Sequence, residues 1–138
     1  MNIIVCLDDG LGLLFNNRRQ SQDRIVRQDI LNLPGAQKIF MNAYSGKLFA
    51  DMEADRVVIL EDFLEQADRE YCFVENRPVA PFLEKIEQII VYFWNRSYPS
   101  DFKFDVDLSG WQLLSETQFS GSSHPEITRR TYRREVNA

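Results

Sequence analysis

The feature that most constrains this chain is a series of short, unbroken apolar runs separated by polar stretches with helical spacing. Ile3-Ile4-Val5-Cys6-Leu7 opens the series. Ile39-Phe40-Met41, Val57-Val58-Ile59-Leu60, Tyr71-Cys72-Phe73-Val74 and Ile89-Ile90-Val91-Tyr92-Phe93-Trp94 follow it. A strand with one wet face alternates apolar and polar residues, so unbroken runs of this length predict strands covered on both faces. Between the first two runs, Ile25, Val26, Ile30 and Leu31 fall on one helical face. Ser21 or Asp23 is placed to cap that helix, and Pro34-Gly35 stops it. A short helix is expected around Lys47 to Met52, and Asp62 can cap a turn carrying Phe63 and Leu64. Val79, Phe82, Leu83 and Ile86 repeat at helical spacing behind Pro78, a residue suited to a first turn.

After Asp101 the pattern becomes strand-rich, with Trp111 to Phe119, a Gly121-Ser122-Ser123 turn, and Ile127 to Val136. Alternation followed by a hairpin predicts one α/β domain over 1–138. Its core is a mostly parallel twisted sheet flanked by helices, with a C-terminal antiparallel hairpin. The chain has 138 residues, 44% of them hydrophobic, enough for one core.

Charge and motif content exclude several functions. With 21 acidic and 16 basic residues the net charge is −5, against a dedicated nucleic-acid binder. No apolar run approaches the roughly 18 residues of a membrane span, and no basic stretch precedes a long apolar one, so no membrane or secretory role is expected. Cys6 and Cys72 sit inside apolar runs, as reduced core thiols of a cytoplasmic protein do. His124, the one histidine, lies in a Ser/Pro loop and is expected to be an exposed turn residue. One histidine and two buried thiols make no zinc set, and neither a metal nor a cofactor is predicted. Phosphate-loop, nucleophile-elbow and dinucleotide fingerprints are absent.

Cys6-Leu7-Asp8-Asp9-Gly10-Leu11-Gly12-Leu13 is a strand leading into an acidic, Gly-containing loop. Arg19-Gln20-Ser21 and then Met41 follow at set distances. Ile89 to Trp94, Asp101-Phe102-Lys103-Phe104 and Trp111-Gln112-Leu113-Leu114-Ser115 come later in the same order. This succession resembles dihydrofolate reductase over nearly the whole chain. The resemblance implies that fold and a ligand cleft at Cys6, Leu7 and the Arg18-Arg19-Gln20-Ser21 segment, with Arg19-Gln20-Ser21 where the family has Leu-Pro-Trp.

The departures from the family bear on activity. Val26 stands where the family has the helix carboxylate that supports protonation of its substrate, and neither Asp23 nor Asp29 is in register. The family's Met-Gly-Arg-x-Thr segment, which cradles cofactor phosphates, reads Met41-Asn42-Ala43-Tyr44-Ser45, and its paired glycines read Glu75-Asn76. The stretch from Phe49 to Phe73 is shorter than in the family. A working folate reductase is therefore not expected.

The leading expectation is a protein that uses the old pterin cleft without NADPH to hold a small polar or anionic, pterin- or nucleotide-like ligand. Arg18, Arg19 and Gln20 would orient it, since Arg forks carboxylates and phosphates. Asn42, Ser45, Asn76 and Tyr92 would face it, with Glu75 the candidate acid–base group at a strand end. Two alternatives stay open. One is an NAD(P)H-dependent reductase with a rearranged cofactor site near Cys6, Leu13 and Ser45. The other is a partner-binding module whose cleft is closed by Leu14, Phe15 and Tyr44. Trp94 and Tyr98 are expected to form an exposed patch suited to a homodimer, and the C-terminal arginine pairs are expected on an edge strand.

Overall fold

The computed structural model describes residues 1–134; residues 135–138, and with them the expected end of the last strand at Val136, lie outside the described residues. Ten strands and three α-helices are present among those described: β1 (Asn2–Leu7), β2 (Gly12–Phe15), β3 (Arg18–Arg19), α1 (Arg24–Leu31), β4 (Ile39–Met41), α2 (Ala43–Gly46), β5 (Val57–Ile59), α3 (Phe63–Gln66), β6 (Tyr71–Phe73), β7 (Gln88–Phe93), β8 (Phe102–Lys103), β9 (Trp111–Phe119) and β10 (Ile127–Arg134). Seven strands form the main sheet in the order β5-β4-β6-β1-β7-β10-β9. β1 runs parallel to both neighbours, whereas β10 is antiparallel to β7 and to β9.

The unbroken apolar run of β1 follows from its central place. Ile3, Val5 and Leu7 enter a core on one face of the sheet and Ile4 enters a second core on the other, all fully buried. α1 covers the second face with Val26, Ile30 and Leu31. Asp23 caps it by accepting from the backbone N–H groups of Ile25 and Val26, which no helix carbonyl can reach. Among the described residues no helix is long and apolar enough to cross a membrane.

Several local expectations change. The helix expected at 47–52 begins earlier, as α2, because the Asn42 side chain caps Ser45 N–H at 3.2 Å; a 3₁₀ turn, Lys47–Phe49, continues it. The segment behind Pro78 is a 3₁₀ turn, Ala80–Lys85, with no buried residue of its own; the flanking Val79 and Ile86 do the packing. β5 is an outer strand, so Val57 and Val58 are only half-buried and Ile59 is exposed. The loop after β1 supplies β2 and β3, which join β8 in a small sheet of order β3-β2-β8. Asn16 and Asn17 close its hairpin at φ 51° and 61°, the left-handed values of a two-residue turn that asparagine tolerates. The arginine-bearing β10 is internal, and β9 is the edge. Arg129 and Arg130 are engaged by Asp29 and Glu116 rather than guarding an edge.

Candidate functional site

β1 ends beside β3 and the start of α1, and the side chains of Cys6, Leu13, Arg19, Gln20, Ser21, Gln22, Asp23, Val26, Arg27, Glu75 and Trp94 converge there with apolar neighbours on a cleft. Its inner cavity measures about 20 Å³, room for one water-sized group. The cleft is narrow because its charged residues fill it. Arg19 Nε and Nη2 donate to the two Glu75 oxygens at 2.8 and 3.0 Å, a forked pair. Ser45 Oγ donates to Glu75 Oε1 at 2.8 Å. The guanidinium lies 4.5 Å over the Tyr44 ring, and Tyr44 Oη accepts from Arg19 N–H. Burial works against the charge of Arg19, but the hydrogen bond and charge of Glu75 outweigh it and raise its pKa. Burial, and then the charge of Glu75, push the neighbouring Cys6 thiol well above its ordinary range, which makes it a poor nucleophile.

A second polar cluster adjoins this one. The Asp23 side chain is fully buried and accepts from five partners' N–H groups. These are the backbones of Ile25, Val26, Ser122 and Ser123 at 2.9, 3.2, 2.9 and 2.9 Å, and His124 Nδ1 at 3.0 Å. Burial would raise its pKa, but the Ser122 and Ser123 amides, His124 and the Val26 amide outweigh burial and hold the carboxyl far below its usual range. His124 is 3% exposed, which corrects the expectation of an exposed turn residue. Its ring stacks on Trp94 at 4.6 Å, and Ser21 Oγ stands 2.9 Å from Nε2. Trp94 is accordingly buried, so the exposed Trp94–Tyr98 patch is not formed.

The sequence-derived candidates divide. Cys6, Arg19, Gln20 and Glu75 meet on the cleft, with Ser45 behind Glu75. Arg18 lies outside it, on an open groove of about 550 Å³ shared with Arg19, Gln20, Phe15, Asn16, Tyr98 and Pro99. Leu7, Asn42, Asn76 and Tyr92 are not among the cleft-lining residues. Leu7 is core, and Asn42 donates to Asn76 Oδ1 at 2.7 Å. Tyr92 packs in the second core and donates to Asp29 at 2.6 Å; burial, then Asp29, pushes its pKa up.

Two groups escaped the sequence reading. His124 is 101 residues from Asp23 in the chain, and no local pattern connects them. Arg27, half-buried on α1, donates through Nη1 to Leu48 O at 2.7 Å, and its Nε and Gln20 Oε1 are the buried side-chain polar atoms without a partner among the described residues. Both residues line this cleft. Among the described residues no group of three His, Cys, Asp or Glu is arranged to hold a metal ion.

No protein-family model matches the chain, and no curated protein sequence does. Solved structures do. Dihydrofolate reductase from Enterococcus faecalis, solved with NADP(H) and RAB-propyl, superposes with a TM-score of 0.68. The match covers 98% of this chain and 96% of that one at 11% identity. The fold is that of dihydrofolate reductase. At this identity the chain is a divergent bearer of the dihydrofolate reductase fold, and the shared architecture says nothing about shared chemistry.

Proposed function

We propose that this protein binds a small polar or anionic ligand, pterin- or nucleotide-like, at the cleft where a dihydrofolate reductase would hold its pterin, and that it does not reduce folate. The observation that carries the reading is that Gln20 Oε1 and Arg27 Nε, an acceptor and a donor, are both buried without partners on one cleft. Buried polar groups are otherwise almost always satisfied, so two on one cavity mark a place for a ligand group. The inner cavity takes only the tip of such a molecule. Its body lies in the outer groove, where Arg18 supplies charge and Phe15 and Tyr98 supply aromatic surface. Against reduction, Val26 is a buried apolar side chain where the resemblance implies a carboxylate, and it carries no proton to give.

The test is a thermal-shift titration with folate, dihydrofolate, NADPH, NADH and nucleoside monophosphates. A ligand at a hundredfold over its Kd stabilises by about 2.7 kcal/mol, a rise of several degrees in Tm. A pterin or nucleotide shift that Arg18→Ala and Gln20→Ala weaken is the expected result. A shift with NADPH or NADH alone would instead favour the rearranged reductase. The filled inner cleft favours one second reading, a partner-binding module, and silence with every compound would select it.

A further inference from the structure

We propose that Ser21, His124 and Asp23 form a nucleophile, base and orienting carboxylate, and that Ser21 Oγ accepts the acyl group of small acyl esters. His124 Nδ1–H donates to Asp23 Oδ2 at 3.0 Å, which leaves Nε2 as the ring's acceptor. Ser21 O–H donates to that nitrogen at 2.9 Å. The order and distances are those by which a histidine activates a hydroxyl. Four backbone amides hold Asp23 as an anion against the ring, and Trp94 stacked at 4.6 Å fixes the ring plane. Ser21 is half-buried and lines the cleft. Tyr98 Oη, 3.3 Å from the same Nε2, can accept from Nε2–H once that nitrogen has taken the Ser21 proton. Arg27, held through Nη1 by Leu48 O at 2.7 Å, lines the same cleft, and its charge favours an oxyanion forming there.

In the first step Ser21 Oγ bonds to the ester carbonyl carbon, its proton passes to Nε2, and the carbonyl π pair moves onto oxygen. Collapse breaks the ester C–O bond, and the leaving alkoxide takes the proton from Nε2. Water then repeats the sequence on the acyl-Ser21 ester, releasing a carboxylic acid and restoring the hydroxyl. No oxidant or metal enters the balance. An inner cavity of about 20 Å³ has no room for a long acyl chain, so only short acyl groups seated toward the open side of the cleft are expected to react. Asp23 acts through His124 and is a positioning residue.

The proposal goes beyond ligand binding, and its test reads a covalent bond rather than an affinity. The purified full chain is treated with a fluorophosphonate probe, and its mass and modified peptide are determined. Separately, p-nitrophenyl acetate is mixed in and p-nitrophenolate release is followed. One adduct at Ser21 is expected, lost in Ser21→Ala, which gives up one hydrogen bond and keeps the fold. It is expected to form at least tenfold more slowly in His124→Gln, with folding checked by circular dichroism. An acetate burst absent from Ser21→Ala is expected alongside. No adduct on the native chain, or labelling and burst unchanged in Ser21→Ala, would overturn the proposal, and would do so even if the thermal-shift titration finds a ligand.

Discussion

His124 Nδ1 lies 3.0 Å from Asp23 Oδ2, a contact across 101 residues that ties the loop after β9 to the first turn of α1. The same carboxylate caps the helix and gathers the Ser122 and Ser123 amides, so one buried side chain joins a helix start, a loop and the cleft wall.

Asp23→Ala is expected to destabilise the protein by about 3 kcal/mol, because it leaves four backbone amides and an imidazole N–H buried without an acceptor. Urea unfolding measures this as a lower midpoint at unchanged slope. A loss below about 1 kcal/mol would mean water replaces the carboxylate.

The depressed pKa of Asp23 fixes a sign in acid. Below its ordinary value of 3.8 the unfolded chain takes up a proton that the folded chain refuses until far lower pH, so stability rises with pH across that window. The contribution is complete above about pH 5 and drains away as pH falls. Between pH 4 and 2 the native protein should lose up to about 1.4 kcal/mol per pH unit more than Asp23→Asn. Parallel pH profiles for the two proteins would remove Asp23 from the acid transition.

Arg19 and Glu75 are 24% and 9% exposed in their side chains and joined by a fork, so the pair is sheltered from solvent. A double-mutant cycle with Arg19→Met and Glu75→Gln should give a coupling of about 1.5–3 kcal/mol in unfolding experiments. A coupling near zero would mean that Tyr44 and Ser45 hold the two side chains independently.

Gly121 has no room for a methyl group, since a Cβ there would overlap the Asp23 carboxylate, whereas a Cβ at Gly110 meets nothing within 4 Å. Gly121→Ala should cost about 2 kcal/mol through displacement of Asp23, and Gly110→Ala should be within about 0.5 kcal/mol of the native protein. Calorimetric Tm values of the two variants decide it; equal values would show that Asp23 moves aside freely.

The architecture was legible because burial on both faces of a sheet leaves a mark in the chain itself. Ile3 to Leu7 must be apolar throughout if alternate residues feed two cores, and the C-terminal hairpin announces itself by its turn. The cap at Asp23 was equally local, since the amides it satisfies lie two and three residues on. Asn42 combines both ranges: it caps Ser45 N–H within its own turn and donates to Asn76 Oδ1 across 34 residues.

What the sequence by itself determined is the succession of strands along the chain and the start of α1 at Asp23, because periodicity and short-range capping act over a few residues. What only the tertiary structure decided is which polar groups meet. His124 reaches Asp23 and Ser21 because β9 and β10 return the chain beside α1. Arg19 closes on Glu75 across 56 residues because β3 folds back over the ends of the parallel strands. A charge or hydrogen-bonding group is specified by whatever stands within about 3 Å of it, and sheet topology sets that distance.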